Sequence, residues 1–486
     1  MFLRKVSIFL LGLGLIYRHA IAAPEVNFPV PPGEESALPH NLIEQAEIAS
    51  GNLRLREIRK AGAKVFTVPF NRYDGLGDGP PDVYDDTKPF PFRGDRAPLQ
   101  NRTTMMLRIN GLDAQSCLEC HSAISNIGFP RFGIGGHGGI SASAMPFTQV
   151  LDVDANNGVF DGVTETTGRV INPPFIFGAG GVELLAKEMT RDLQSIKTEA
   201  ENEPLGTKFD LLTKGIEFGT VTSNGDGTVD IKITNDLGID QDLVVRPFGR
   251  KGDNFSIRDF DRGAMAFHFG IQSLDVFDAG TDPDGDGIID ELTIGEMSAL
   301  SVFLATLPSP VMTRLTDDAF AGELLFDSLG CANCHVPELH SESKYLTQSF
   351  PDIATDPDAN VFMSINLRKK PSLFRKSGRG IVVPLFSDLK RHNMGSELAE
   401  TTGSDLDPFF ITARLWGIAD SAPYLHDGRA ATLTEAILAH GGEALVSQKK
   451  FKALADQQRI ELLSFLRSLK LPNQRQINNL EKLIRN

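Results

Sequence analysis

Two short motifs, Cys117-Leu-Glu-Cys-His121 and Cys331-Ala-Asn-Cys-His335, contain all four cysteines of this 486-residue chain. Each has the C-x-x-C-H pattern of c-type haem attachment. The two thiols can reach the two vinyl groups of one porphyrin, and the next imidazole can bind its iron. Disulfides or a zinc site of four thiolates would not explain both tight spacings with a histidine after each. The sequence therefore predicts two covalently bound haems c, held by Cys117, Cys120, His121, Cys331, Cys334 and His335.

Residues 1–22 have the pattern of a secretory signal peptide. Arg4 and Lys5 form a basic start, residues 6–16 are mainly apolar, and Ala20-Ile-Ala22 suits a signal peptidase. The apolar run is short for a membrane span, which needs about 20 residues; an uncleaved anchor is the alternative. The sequence thus predicts a periplasmic protein without an integral membrane segment after cleavage.

The net charge of the chain indicates which kinds of molecule it is expected to bind. The chain has 48 Lys and Arg against 63 Asp and Glu, a formal net charge of −15. Nucleic-acid binding needs clustered basic residues, so nucleic acid is not expected as a partner. An acidic surface remains compatible with a cationic protein partner.

The chain is predicted to be mainly α, with two cytochrome c-like haem domains, long loops and a small β-hairpin insertion. Residues 299–307 resemble residues 461–469, and each of these predicted helices lies downstream of one haem motif; chance similarity is the alternative. Between residues 215 and 248 the pattern changes to strands around Asn224-Gly-Asp-Gly227, a hairpin signal. The predicted segments are the signal peptide (1–22), a leader and helix (23–94), the N-terminal domain (95–310), the C-terminal domain (314–472) and a tail (473–486).

Several motifs carry a family resemblance. The specific ones lie in the C-terminal half: Asp388-Leu-Lys-Arg-His-Asn-Met-Gly395, Arg414-Leu-Trp-Gly417, Ala422-Pro-Tyr-Leu-His-Asp-Gly-Arg429 and residues 432–444. Asn172-Pro-Pro-Phe-Ile-Phe-Gly-Ala-Gly180 and the surroundings of Cys117 are less specific. Together they resemble the di-haem oxidoreductase family, which is related to the bacterial di-haem cytochrome c peroxidases and to the di-haem enzyme that matures methylamine dehydrogenase. The resemblance extends over about residues 95–190 and 250–470.

This resemblance implies an oxidoreductase that reduces hydrogen peroxide with electrons from a small donor protein, either a cytochrome c or a copper protein. Two other functions remain open. The chain could be an electron-transfer cytochrome without a substrate, or a haem oxidase or oxygenase that acts on a protein or organic substrate.

His440 is the candidate for the second axial ligand of the C-terminal haem. Thr432 and Glu435 form a predicted capping box, which opens a helix that carries His440 on its apolar face. In the related peroxidases the residue at this distance is the distal ligand, usually methionine. A histidine at a helix end is also favoured by the helix dipole, so a structural role is the alternative. Two histidine ligands would give a lower potential than a histidine–methionine pair.

His137 is the candidate sixth ligand of the N-terminal haem. It lies in the glycine-rich segment 132–139, and the resemblance implies a histidine there that leaves the iron on activation. Flanking glycines suit such movement, although an ordinary surface histidine would fit as well. His268 is the second choice, and Met265 and Met394 are weaker ones because buried methionine usually serves packing.

Peroxide reduction also needs a group that moves a proton between the two oxygens. Glu183, close to the family segment that ends at Gly180, is the catalytic candidate, and Glu188 is a weaker one. The alternative for Glu183 is a favourable position in the first turn of a helix.

His426, Asp427 and Arg429 are expected to form a buried polar turn near the second haem, where Arg429 could bind a haem propionate; a structural role is the alternative. The related peroxidases have a tryptophan between the haems in the N-terminal domain. The single tryptophan of this chain, Trp416, instead lies in the C-terminal half, which leaves that route of electron transfer in doubt.

An acidic loop suggests Ca²⁺ binding. Its carboxylates occupy positions 1, 3, 5 and 9 of an EF-hand-like loop, with Gly287 at position 6. Thr293 at position 12 breaks the full signature, and a solvated acidic turn is the alternative. Residues 152–158 are a weaker version. The predicted Ca²⁺ ligands are Asp282, Asp284, Asp286 and Asp290.

Overall fold

The computed structural model describes residues 35–76, 114–121, 151–153, 164–166, 172–234, 238–282, 287–402 and 405–485. Apart from Glu35, these residues belong to one compact unit, Ser36–Asn486. The predicted signal peptide lies outside the described residues. Within the described ranges, no helix combines the length and the apolar composition needed to cross a membrane.

Helices form the frame of this unit. In chain order they are α1 Gln45–Ala49, α2 Leu55–Thr67, α3 Cys117–Cys120, α4 Ala179–Glu201, α5 Ile257–Ala264, α6 Ile294–Ala305, α7 Asp317–Ser328, α8 Leu433–Leu438, α9 Leu445–Lys452, α10 Asp456–Leu466 and α11 Gln474–Arg485. A π-helical turn, Met265–Phe269, directly continues α5.

The strands are short. They are β1 Leu151–Val153, β2 Thr164–Thr166, β3 Lys208–Thr213, β4 Ile216–Ser223, β5 Val229–Ile233, β6 Val311–Met312, β7 Leu339–His340, β8 Tyr345–Ser349, β9 Val361–Asn366, β10 Arg375–Ser377, β11 Gly380–Val383, β12 Arg391–Asn393, β13 Glu400–Thr402, β14 Asp405–Asp407, β15 Phe409–Ile411 and β16 Leu469–Lys470. They pair antiparallel in small sheets, in the orders β1-β2, β3-β4-β5, β10-β11-β7, β8-β9, β12-β15, β13-β14 and β16-β6.

The predicted β insertion is present as β3, β4 and β5. The hairpin between β4 and β5 pairs Thr222 with Asp230 and turns at the Asn-Gly-Asp-Gly segment. Gly225 and Gly227 have φ of 70° and 88° there, a conformation that glycine adopts readily. The sequence pattern did not predict β3.

The mainly α prediction is not confirmed, because the structure mixes helices with many small sheets. Most of the unexpected strands lie between residues 339 and 411. Many of them have only two to six residues. Such segments contain too few positions for a clear alternation of apolar and polar residues. A pattern search therefore overlooks them.

The internal repeat corresponds to two pairs of helices that pack in the same way. α2 packs against α6, and α7 packs against α10. Both contacts depend on a glycine: a Cβ at Gly62 would lie 1.9 Å from the Ala299 carbonyl oxygen, and a Cβ at Gly322 would lie 2.0 Å from that of Glu461. These are backbone contacts that no other residue would allow.

An aromatic pair accompanies each of these contacts. Phe66 and Phe303 lie 5.6 Å apart between ring centroids, and Phe326 and Phe465 lie 5.4 Å apart. Each phenylalanine follows its contact residue by four positions, so the two crossings match residue for residue. The repeat between residues 299–307 and 461–469 thus reflects a common helix contact. α2 lies before residue 95, where the N-terminal domain was predicted to begin, yet it is the counterpart of α7.

The buried side chains form two hydrophobic clusters, and each adjoins one haem motif. The larger cluster contains Phe66, Phe303 and Cys120. The smaller one contains Phe326 and Phe465, and Cys331 packs against it. Each C-x-x-C-H motif therefore lies at the edge of an apolar cluster that a helix crossing builds.

We expect Gly322→Ala to destabilise the protein by about 1–3 kcal/mol, the usual cost of overpacking, because its Cβ would collide with the backbone of α10. Gly263→Ala on α5 is the matched control. Its Cβ would meet nothing within 4 Å, and alanine is favoured over glycine in a helix by about 0.5–1 kcal/mol. Thermal unfolding of both variants tests this. Equal midpoints would contradict the close contact.

Candidate functional site

The second C-x-x-C-H motif fixes its histidine with two backbone carbonyls. The motif follows α7 as a short 3-10 turn, and the His335 amide donates to the Cys331 oxygen at 3.0 Å. The Nδ1 atom of His335 lies 3.2 Å from the Phe386 oxygen and 3.1 Å from the Ala413 oxygen. Because a carbonyl only accepts hydrogen bonds, Nδ1 carries the proton. This leaves the lone pair on Nε2 for a metal ion.

His440 faces this imidazole. The predicted capping box is present: the Thr432 hydroxyl accepts from the Glu435 amide at 3.2 Å, and the Glu435 carboxylate accepts from the Thr432 amide at 2.8 Å. At the other end of α8, the Nδ1 of His440 lies 2.8 Å from the Ala436 oxygen. Its Nε2 therefore also keeps a lone pair. The His335 and His440 ring centroids are 6.4 Å apart.

This spacing fits two ligands of one metal ion. With metal–nitrogen bonds of about 2 Å, imidazoles on opposite sides of an ion have centroids about 6 Å apart. Burial, with a smaller effect from His440, lowers the pKa of His335 to about 4, and burial lowers the pKa of His440. Both rings are thus neutral near pH 7, which is the form that binds metals. The residues at the second motif fit a haem iron with two histidine ligands.

The first C-x-x-C-H motif packs against α2. α3 begins after Ser116, whose hydroxyl accepts from the Leu118 amide at 3.2 Å. The Phe70 amide donates to the Gln115 oxygen at 2.8 Å. His121 follows the helix, and its amide donates to the Cys117 oxygen at 2.9 Å. The motif is therefore held against the helix that is the counterpart of α7.

His137 lies outside the described residues, so its role stays a prediction. The alternative ligand, His268, lies in the π-helical turn after α5. The neighbouring Phe269 packs on Phe70, with ring centroids 5.5 Å apart, and the backbone of Phe70 contacts the residues that lead into the first motif. His268 also resembles His440 in its place along the chain. Each lies near the end of a helix, after one C-x-x-C-H motif and before the repeated helix of that half, α6 or α10.

Glu183 is buried on α4 and has two partners. Its Oε1 lies 3.0 Å from Lys187 Nζ, and its Oε2 accepts from the Ile257 amide at 3.2 Å. Burial raises the pKa of Glu183, as does the nearby Asp352, while Lys187 lowers it. Ile257 is the first residue of α5, so this carboxyl group lies at the start of the helix that leads to His268.

Glu188 has a structural environment instead. Its carboxylate accepts from the amides of Glu342 and Ser343 at 2.8–3.1 Å. It also lies 2.7 Å from Lys214 Nζ. These bonds fasten α4 to a distant loop and explain why this carboxylate is buried.

The predicted turn at residues 426–429 is polar but only partly buried, because the side chain of Arg429 is 45% exposed. Asn172, from the other half of the chain, is hydrogen-bonded to it. The Asn172 side chain donates to the oxygens of Pro423 and Leu425 at 2.8 and 3.0 Å, and its amide donates to the His426 oxygen at 2.7 Å. The His426 ring stacks on Phe410, with centroids 4.4 Å apart. Two segments that carry the family resemblance therefore meet here.

Arg429 is engaged within this turn. Its Nε lies 2.5 Å from the Asp427 carboxylate, and its Nη1 donates to the Glu397 oxygen at 2.6 Å.

Trp416 packs beside Gly178 and Phe374. A Cβ at Gly178 would come within 2.6 Å of the Trp416 ring, and the centroid of that ring is 6.4 Å from that of Phe374. Trp416 thus packs the segment 414–417 against the start of α4.

Sequence reasoning missed a buried acid–histidine–acid group beside the second motif. His392 lies 2.8 Å from the Asp388 carboxylate through Nε2 and 2.9 Å from the Glu443 carboxylate through Nδ1. Its Nδ1 is also 3.8 Å from the Cys334 sulfur. Asp388 and His392 belong to a family motif, and an acid four residues before a histidine was the available signal. Nothing in the sequence pointed to Glu443, 51 residues further on.

This group can also be viewed as a metal site. Cys334, Asp388 and His392 place their ligand atoms within 4.8 Å of one another. Burial lowers the pKa of His392, but the hydrogen bonds and charges of Asp388 and Cys334 outweigh it and raise the pKa to about 11. Carboxylates face both ring nitrogens of His392, which suits a protonated ring held in an ion pair.

The acidic loop is described only in part. Asp284 and Asp286 lie outside the described residues. The Asp282 carboxylate accepts from the Gly287 amide at 2.9 Å, and that of Asp290 accepts from the Gly280 amide at 2.7 Å. Both bonds shape a tight loop whether or not it binds an ion. Calcium binding stays a prediction.

Residues 270–469 match the family described as "Di-haem oxidoreductase, putative peroxidase". The predicted family resemblance is confirmed. The match contains the second C-x-x-C-H motif, His392, His426 and His440. It does not reach residues 95–190, where the resemblance was predicted as well.

Two solved structures are similar at low identity. One is a MauG-like protein associated with microbial copper homeostasis, 19% identical over 36% of this chain and 52% of that one, with a TM-score of 0.22. The other is the hydrazine synthase of Kuenenia stuttgartiensis, 15% identical over 60% of this chain and 92% of that one, with a TM-score of 0.27. The chain thus spans about half the length of the MauG-like protein. No curated protein matches the chain.

We expect His440→Met to raise the reduction potential of one haem and to change its absorption spectrum, since a methionine ligand favours the reduced iron. The matched control is His340→Met, because His340 is exposed and its ring contacts Glu338 at 3.2 Å and the Ser377 hydroxyl at 2.7 Å, away from His335. Spectroelectrochemical titration of both variants measures the effect. Identical titrations for the two variants would contradict the ligand role of His440.

We expect His392→Gln to lower the free energy of unfolding by about 3–5 kcal/mol, the range for breaking a buried ion pair. Burial lowers the pKa of His392, but the hydrogen bond and charge of Asp388 raise it in the folded state above about 6.5, the value in an unfolded chain. A thioether at Cys334 carries no charge, so in the haem-bound protein this effect comes from Asp388. The stabilisation by His392 is therefore complete below pH ~6.5 and is lost as the pH rises through the folded-state pKa.

Denaturant unfolding of wild type and variant at about pH 6 and about pH 9 measures this. The loss should be larger at the lower pH. His340→Gln is the control, with an expected loss below about 1 kcal/mol because its ion pair is exposed. A loss that does not change with pH would show that His392 is not held as a cation.

Proposed function

We propose that this protein is an exported, periplasmic di-haem c-type oxidoreductase that reduces hydrogen peroxide with electrons from a small redox protein. The carrying observation is the pair His335 and His440, whose Nδ1 atoms are fixed by carbonyls and whose rings face each other at 6.4 Å. The family match over residues 270–469 supports the same chemistry.

The two motifs suit different tasks. A bound haem supplies one-electron redox chemistry. At the second motif His335 and His440 would both hold the haem iron, and that haem would supply electron transfer. At the first motif His121 would hold the haem iron, and His137 would be the displaceable residue whose release admits peroxide. Cys117, Cys120, Cys331 and Cys334 would hold the haems through thioether bonds.

The reduction of one hydrogen peroxide to two waters consumes two electrons and two protons. Glu183 is suited to move a proton because burial raises its pKa, and Lys187 lies 3.0 Å away to hold the charge of the ionised form. A carboxyl group with a raised pKa can act as a general acid near neutral pH. Glu183 is therefore the proposed proton-transfer group.

The donor is proposed to be a cationic cytochrome c or copper protein, because the chain has a net charge of −15. Attraction between opposite charges accelerates such encounters at low ionic strength and is screened by salt. Stopped-flow reduction by a basic cytochrome c should therefore slow as salt is added.

We expect Glu183→Gln to slow the oxidation of the reduced holoprotein by hydrogen peroxide by about 10²–10⁴-fold, the contribution of general acid–base catalysis. The matched control is Glu199→Gln, an exposed residue on the same helix. Stopped-flow absorbance of both variants, after their spectra show equal haem content, measures the rates.

Two results would count against the proposal. Equal rates for the two variants would remove Glu183 from proton transfer. Two low-spin haems that never react with peroxide, even after His137→Ala, would indicate an electron-transfer cytochrome without a substrate. Permanent binding of His268 to the first haem would be one cause of such behaviour.

A further inference from the structure

Arg414 belongs to the backbone segment that fixes His335. Its neighbour Ala413 provides a carbonyl to the His335 Nδ1 at 3.1 Å. On the other side of Arg414, the Leu415 amide donates to the Leu385 oxygen at 3.2 Å, next to Phe386, the second acceptor of His335. The position of Arg414 is thus tied to the proposed proximal ligand by a short hydrogen-bonded frame.

The guanidinium group of Arg414 has no anionic partner in the described part of the chain. Its Nη1 is shielded from solvent and makes no hydrogen bond there. The Phe248 ring, 5.9 Å from Cζ, is a weak contact. Burial lowers the pKa of Arg414 to about 10, so the group is still charged at neutral pH. A buried cation is unfavourable unless an anion pairs with it.

A second donor without a partner lies two residues further on. Trp416 is 3% exposed, and its Nε1 is buried without a hydrogen-bond acceptor among the described residues. An indole nitrogen only donates, and buried indole N–H groups usually find an acceptor. Two unpaired donors on one three-residue stretch indicate an acceptor group with several oxygens.

We propose that Arg414 and Trp416 donate hydrogen bonds to the propionate carboxylates of the haem held by Cys331, Cys334 and His335. This inference rests on the proposed haem attachment. A guanidinium group matches the two oxygens of a carboxylate, and a haem brings two carboxylates to the site. Arg429, the arginine suggested by the sequence, is already engaged with Asp427 and with the Glu397 carbonyl.

The charge of Arg414 should then set the potential of one haem. A cation beside a haem favours the reduced iron, because reduction removes one positive charge from the site. Removing the cation should lower the potential of that haem and leave the other unchanged. If another carboxylate of the chain paired with Arg414 instead of a propionate, Trp416→Phe, which removes no charge, would leave the potential of that haem unchanged.

The test is a spectroelectrochemical titration of holoprotein variants whose intact mass shows both haems. For Arg414→Gln we expect at least a tenfold decrease in the reduction equilibrium constant of one haem, which is about 59 mV for one electron. This should be the haem whose spectrum changes in His440→Met. Arg414→Lys should retain most of the potential. Trp416→Phe, which keeps the packing, should cause a smaller decrease at the same haem.

Arg191→Gln is the matched control and should leave both potentials unchanged, because Arg191 is exposed and pairs with Asp358 at 2.6 Å. Arg429→Gln compares the arginine that the sequence suggested. Unchanged potentials in Arg414→Gln and Trp416→Phe, or a decrease at the other haem, would overturn the inference. A decrease in a haem potential in Arg429→Gln but not in Arg414→Gln would also overturn it. If wild-type protein from a host that matures c-type cytochromes contains no haem at Cys331 and Cys334, the proposed function itself fails. That result is distinguishable by mass before any titration.

Discussion

The orientation of one imidazole determines most of what this structure can do. The Phe386 and Ala413 carbonyls hold the proton on Nδ1 of His335 and thereby leave the lone pair on Nε2, in a ring whose centroid is 6.4 Å from that of His440. Without these two acceptors the ring could rotate and either nitrogen could carry the proton. The family motifs around residues 388 and 414 then have a common physical role, since both belong to the chain segments that provide this frame.

The two halves of the chain build their haem motifs on the same helix contact. A glycine on one helix meets the backbone of the other at Gly62 and Gly322, and a phenylalanine pair closes each contact. Beyond this shared contact the halves differ. Beside the second motif the described residues include two neighbouring histidines, His335 and His440, whereas the surroundings of the first include α4 with Glu183 and the π-helical turn with His268. This difference supports the proposal that the two halves have different tasks.

The sequence predicted features that depend on local chemistry. The capping box at Thr432, the hairpin at residues 224–227 and the matching helices are set by residues close together in the chain, and all are present. It could not predict contacts between distant residues, such as Glu443 with His392. It also did not predict that Asp427, two residues away, pairs with Arg429, the arginine that was a candidate for binding a propionate. The small sheets were missed because their strands are too short to show a period.

The most direct measurement is the intact mass of the mature protein after expression with a cytochrome c maturation system, followed by mass analysis of the peptides that contain residues 117–121 and 331–335. The account predicts one haem on each peptide, bound through both cysteines. Unmodified thiols, a disulfide or bound zinc at either peptide would contradict it.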